Sequence, residues 1–119
     1  MAKIKEVLAT TASIHNVLVS GTRIVGDICS DEDFRIDGMI EGNITCKGKI
    51  IIGRNSSITG NIECSNIEVL GKVSGDIKCS ENIILRASAI VTGDITTSSI
   101  EIEPGAKLDG KCSMYKPEE

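Results

Sequence analysis

From Val17 to Met114 apolar and polar residues alternate with a period of two, and a glycine interrupts the alternation at near-regular intervals. An aliphatic residue stands two positions before each of these glycines, at Ile24, Ile40, Ile58, Val73, Val91 and Leu108. The glycines, Gly26, Gly42, Gly60, Gly75, Gly93 and Gly110, are spaced 16, 18, 15, 18 and 17 residues apart. A period of two predicts β-strands with one face inward. Repetition at this length, in β-branched sequence broken by glycine, predicts a parallel β-solenoid in which each repeat is one coil. The same pattern opposes helices, which the isoleucine excess and the recurring glycine both disfavour.

Parity assigns the faces. Positions −2, +2 and +4 from each repeat glycine point inward; the +2 column reads Ile28, Ile44, Ile62, Ile77, Ile95 and Cys112. Positions +1 and +3 point outward and are almost wholly polar. A second apolar pair follows in the first five repeats: Phe34/Ile36, Ile50/Ile52, Ile67/Val69, Ile83/Leu85 and Ile100/Ile102. Three short strands per coil are therefore expected, with the repeat glycines at one corner, where a Cβ would crowd the neighbouring coil. The expected organisation is all-β. A flexible tail occupies residues 1–16, a solenoid of about six coils residues 17–114, and a short C-terminal tail residues 115–119.

Composition sharpens this. Aromatics make up only 2 % of the chain, so isoleucine must fill the core. The net charge is −4, without a basic stripe or an aromatic platform for bases, which argues against a nucleic-acid partner. No apolar run approaches the roughly 18 residues of a membrane span. The N-terminus lacks the features of a secretory signal, and a cytoplasmic location is expected.

Few constellations suggest chemistry. The 5 cysteines are odd in number and contain no C-x-x-C pair, which opposes a disulfide framework or a zinc knuckle. Cys46, Cys64 and Cys79 share one inward position in successive coils and read as small core hydrophobes. A straight ladder cannot wrap a tetrahedral ion. Cys29, of outward parity, is the one thiol expected to be reachable in the coil body. His15, the sole histidine, has no evident acid or cleft beside it and reads as a tail residue. The outward column Asp27, Asn43, Asn61, Asp76 and Asp94 reads as a solvated turn-forming edge, since the glycine-aspartate signature of calcium-binding solenoids is missing. Glu63 and Lys78 fall at the same outward position of adjacent coils. No catalytic residue, cofactor, metal or small-molecule substrate is expected.

Three segments resemble those of a known family. Phe34 to Gly42 is similar to the pattern [LF]-R-I-D-G-x-[IV]-x-G. Gly48 to Gly53 is similar to G-x-[IV]-x-[IV]-G, and Ile102 to Cys112 to I-x-P-G-A-x-[FL]-x-G-x-C. The family is the bactofilins, bacterial polymer-forming cytoskeletal proteins. The resemblance implies a right-handed triangular β-helix that assembles without nucleotide into non-polar filaments, its subunits meeting N-end to N-end and C-end to C-end. It also implies a scaffold at the inner face of the cytoplasmic membrane, organising cell-wall or morphogenetic proteins. Many relatives reach the membrane through an N-terminal apolar motif, for which Ile4, Val7 and Leu8 beside Lys3 and Lys5 form a weak counterpart.

The leading expectation is thus a structural polymer whose main partner is itself. Soluble solenoids protect their ends with polar caps, and neither end shows one here. Val17, Val19 and Ile24 are the expected contacts of the N-terminal coil, and Ile100, Ile102, Leu108 and Met114 those of the C-terminal coil. The main alternative is a left-handed β-helix acyltransferase. Ile52, Ile58, Cys64 and Leu70 fit its six-residue period, but the period breaks at Asp76 and no coil contains a histidine base. An ice- or carbohydrate-binding solenoid would need a flat threonine array or an aromatic shelf.

Overall fold

A computed structural model describes residues 16–114, which form a parallel β-solenoid of six coils. The first coil carries β1 (Asn16–Leu18), β2 (Arg23–Val25) and β3 (Ile28–Ser30). The second carries β4 (Phe34–Ile36), β5 (Met39–Glu41) and β6 (Ile44–Cys46), and the third opens with β7 (Lys49–Ile52) and β8 (Ser57–Thr59). Beyond that point strands run across corners. β9 (Ile62–Val69) closes the third coil and opens the fourth; β10 (Lys72–Ser74) follows, and β11 (Ile77–Leu85) leads into the fifth. β12 (Ile90–Thr92), β13 (Ile95–Ile102), β14 (Lys107–Asp109) and β15 (Cys112–Met114) complete the stack.

The expectation of three separate strands per coil therefore holds in the first two coils and softens later, where one strand bends over a corner. Two faces of the solenoid consequently merge into a 9-stranded sheet, while the third is a separate sheet of 6 strands in the order β14-β12-β10-β8-β5-β2. The fourth repeat is longer than the third. A register shift between Cys79 and Asn82 in β11 absorbs one of the three extra residues as a bulge, and the other two lie in the turn between Leu85 and Ile90.

The core is a stack of register-matched side chains. Ile44, Ile62, Ile77 and Ile95 are consecutive partners in one column, and Ile36, Ile52, Val69 and Leu85 in another. All eight are buried. Burying one such side chain contributes about 1.5–3 kcal/mol, so the inward parity assigned from the repeat glycines organises the fold. The six-residue reading fails at Leu70, which lies half-buried on the outward parity after the buried Val69.

The glycine corner has a steric and a polar reason. Gly60 sits at φ 145°, where side chains are strained, and a Cβ there would lie 2.0 Å from the carbonyl oxygen of Gly42 in the coil before. The Asp/Asn column beside it turns out to be a hydrogen-bond relay. Asn43 N donates to Asp27 Oδ1, Asn61 N to Asn43 Oδ1, and Asp76 N to Asn61 Oδ1, each at 3.0 Å. Asp94 N continues to Asp76 Oδ1 at 3.0 Å, and Lys111 N to Asp94 Oδ1 at 3.1 Å. Each side chain thereby satisfies a backbone donor of the following coil, which explains why short acceptors recur there.

On one lateral face an ionic network ties the later coils together. The Arg86 guanidinium donates from Nε to Glu68 Oε2 and from Nη1 to Glu103 Oε2, both at 2.7 Å. Lys49 Nζ lies 3.6 Å from Glu68 Oε1. The hydrogen bond from Arg86 holds the Glu103 carboxyl below the usual carboxylate range.

Candidate functional site

The lateral faces offer little chemistry. Two open, shallow depressions run along the face bearing Thr45, Glu63 and Lys78, and their lining is mixed polar and apolar. Glu63 and Lys78 are register partners there. Among the described residues no group of three or more His, Cys, Asp and Glu side chains is placed to hold a metal ion. His15 lies outside the described residues.

Cys46, Cys64 and Cys79 are buried in one column, as small core side chains would be. The Cys79 thiol donates to the Ser65 carbonyl at 2.9 Å, and Cys46 to the Glu32 carbonyl at 3.2 Å. Burial pushes the Cys46 thiol up, and a hydrogen bond with Cys79 together with burial does the same to Cys64. Cys46 and Cys64 are therefore poor nucleophiles; the hydrogen bond with Cys64 lowers the Cys79 thiol to about 7, but Cys79 is fully buried. Cys29 is exposed as expected, but so is Cys112, against the expectation that Cys29 alone would be reachable. Cys112 has inward parity and pairs with Ile95; it is exposed because the sixth coil is the last among the described residues.

Exposed apolar side chains do occur where columns run out. At the C-terminal end Ile100 and Leu108 are half-buried, while Ile102 and Met114 are exposed. These are the four residues expected of that end, and Cys112 joins them. Together they form the open floor of the last coil.

At the N-terminal end the expected residues divide. Ile24 faces inward and partners Ile40. Val17 and Val19 do not lie in the floor of the first coil. They are 55 % and 59 % exposed, and Val17 partners Arg35 in an outward column. The inward residue is Leu18, which partners Ile36. Asn16, Ile28 and Ser30 occupy the other inward columns. Alternation alone left the phase of the run Val17-Leu18-Val19 open, and no earlier coil fixes it. The 18-residue step from Leu18 to Ile36, a spacing that recurs between repeat glycines, was the signal available.

Lys3, Ile4, Lys5, Val7 and Leu8 lie outside the described residues. Among the described residues no helix is long and apolar enough to cross a membrane.

Among the described residues both ends present unpaired backbone edges of a parallel sheet, an arrangement that favours stacking of further strands. The C-terminal floor is apolar, whereas the N-terminal floor mixes Leu18, Ile24 and Ile28 with Asn16 and Ser30. Comparison with curated proteins and with solved structures returned no match. Comparison with protein families returned the bactofilins, described as polymer-forming cytoskeletal, over residues 16–113. With that match covering most of its length, the repeat, the solenoid and the open ends lead to one conclusion: the chain belongs to the bactofilin family.

Proposed function

We propose that the protein is a cytoskeletal scaffold that polymerises by end-to-end stacking of its solenoids, without nucleotide. The observation that carries this reading is the open end coils of the described residues, above all the exposed Ile102 and Met114 on the last coil. Stacking continues the β-ladder, buries both end floors and satisfies the edge donors and acceptors. No phosphate-binding loop of the G-x-x-x-x-G-K-[ST] type exists in the sequence, so assembly draws on burial and edge pairing without nucleotide.

The contacts are N-end to N-end and C-end to C-end. The corner relay supports this arrangement. Every coil after the first receives an Asp or Asn oxygen at its corner N–H, but the last coil presents Lys111 in that column. A head-to-tail contact would bring the Asp27 N–H of the next copy to an ammonium, which accepts no hydrogen bond. The resulting non-polar filament serves as a cytoplasmic scaffold at the inner face of the membrane, organising cell-wall or morphogenetic proteins.

The test is sedimentation and negative-stain electron microscopy with and without nucleotide. Filaments are expected in both conditions, and strict nucleotide dependence would overturn the reading. Ile24→Arg and Leu108→Arg each place a charge in one end floor. Each single variant is expected to stop at a dimer, and the folded double variant at a monomer. Monomers from either single variant would mean that one junction uses both ends.

A further inference from the structure

We propose that the two ends are unequal and that the C-terminal coil is the tighter junction, so that a pair of copies joined through it is the unit from which filaments grow. The inference rests on the end-stacking reading and adds an order of assembly to it.

The columns make the comparison direct, because the same inward position can be read at both ends of the stack. Leu18 and Ile102 end one column, yet Leu18 is 8 % exposed and Ile102 51 %. The column of Phe34, Ile50, Ile67 and Ile83 ends in Asn16 on one side and in Ile100 on the other. The column of Cys46, Cys64, Cys79 and Thr97 ends in Ser30 on one side and in Met114, 54 % exposed, on the other.

At the N-terminal end the two polar substitutes hold each other. Asn16 Nδ2 donates to Ser30 Oγ at 3.1 Å and to the Asp33 carbonyl at 3.3 Å. Ser30 Oγ donates to the Glu32 carbonyl at 3.0 Å and accepts from Glu32 N at 3.2 Å. This polar latch joins the beginning and end of the first coil, in the manner of a partial cap. A junction over it must strip water from an amide and a hydroxyl and gains little apolar burial there. The corresponding C-terminal positions are hydrocarbon and thioether. Met114 adds a side chain that adapts its shape to an opposing surface.

Charge indicates that a second copy of this chain is the occupant. The rim of the last coil carries Glu101 and Asp109 together with Lys107 and Lys111. A rim of both signs can face its own rotated image without forced like-charge pairing.

The experiment is a dilution series by analytical ultracentrifugation on Ile24→Arg, which retains only the C-terminal junction, and on Leu108→Arg, which retains only the N-terminal one. Circular dichroism establishes that both are folded. The Ile24→Arg dimer is expected to persist to protein concentrations at least tenfold below those at which the Leu108→Arg dimer dissociates. Equal dissociation, or the reverse order, overturns the proposal while leaving end stacking intact. Long filaments from the folded double variant would overturn end stacking, and this inference with it.

If an arginine variant fails to fold, Met114→Ser and Ser30→Met in otherwise unchanged chains give the same information. Met114→Ser is expected to raise the concentration at which the C-terminal pair forms, read as loss of dimer at the onset of assembly. Ser30→Met is expected to strengthen the N-terminal contact and lengthen filaments. If Met114→Ser leaves the onset unchanged, the proposal fails.

Discussion

In the fourth coil Val73 and Ile77 point inward and are sealed between the coils on either side; in the sixth, Leu108 and Cys112 occupy the same columns and remain open on one side. The local sequence rule is shared, and so is the backbone. What differs is the presence of a neighbour. A solenoid repeat satisfies its strand edges and its apolar floor only through the repeats beside it. In the middle of the stack this dependence is stability, and at the ends it is an unmet demand that a second copy can meet. The end coils therefore need no dedicated binding motif. On the end-stacking proposal they act by being coils without neighbours.

The largest contrast should come from placing one charge in both settings. Ile77→Arg buries an unpaired cation between two coils and is expected to cost about 3–5 kcal/mol, a large share of the stability of a domain of this size. Leu108→Arg leaves its guanidinium at the open end and is expected to retain the native far-ultraviolet circular dichroism spectrum and most of the thermal stability. If both variants unfold to the same extent, the end coil is as enclosed as the middle and the contrast fails.

A smaller effect is expected along the corner relay. Asn61→Ala removes the acceptor of the solvent-exposed Asp76 N–H and should lower stability by about 0.5–1.5 kcal/mol in urea denaturation of an assembly-blocked background. Lys111→Asn adds an acceptor that none of the described coils can use, and is expected to change stability by less than about 0.5 kcal/mol. A large gain from Lys111→Asn would show that the relay continues past the sixth coil.

The gentlest probe is alkylation followed by mass spectrometry at mildly alkaline pH. Cys29 and Cys112 are expected to react rapidly. Cys46 and Cys64 are expected to lag, because burial denies access and their raised pKa values leave little thiolate until the pH rises well above that of an ordinary cysteine. Assembly should then protect Cys112, in the end floor, and leave Cys29 reactive. Equal protection of both would place the growing contact on a lateral face.

Much of the fold was legible because the repeat glycines supply both a period and a phase. Counting parity from Gly60 or Gly75 assigns the inward columns of the middle coils, including the buried cysteines. The phase was hardest to fix where those anchors thin out. Val17 and Val19 were expected in the N-terminal floor, yet Leu18 occupies it, since three consecutive apolar residues satisfy either phase. Cys112 shows the opposite case, an inward position exposed because it lies in the last of the described coils. The corner relay was visible as a column of Asp and Asn but not as a set of bonds. Its partners are backbone N–H groups one coil away, and composition alone gives those no direction. The continuity of β9, β11 and β13 across corners was likewise hidden, because the bend is taken up by Ser65, Ser80 and Ser98, residues that read equally well as loop.

The hydrogen bonds between coils, such as Gly60 N to the Ser74 carbonyl and Gly93 N to the Asp109 carbonyl, run along the stacking direction. In a filament made by continuing that stack, a pull on the two ends loads every bond between two coils together instead of peeling them one at a time. Within a subunit the chain also crosses from coil to coil covalently and acts as a safety line if the bonds give way. Between subunits there is no such line. The tensile strength of the cable is therefore set at its joints, and under load it should part cleanly between intact subunits.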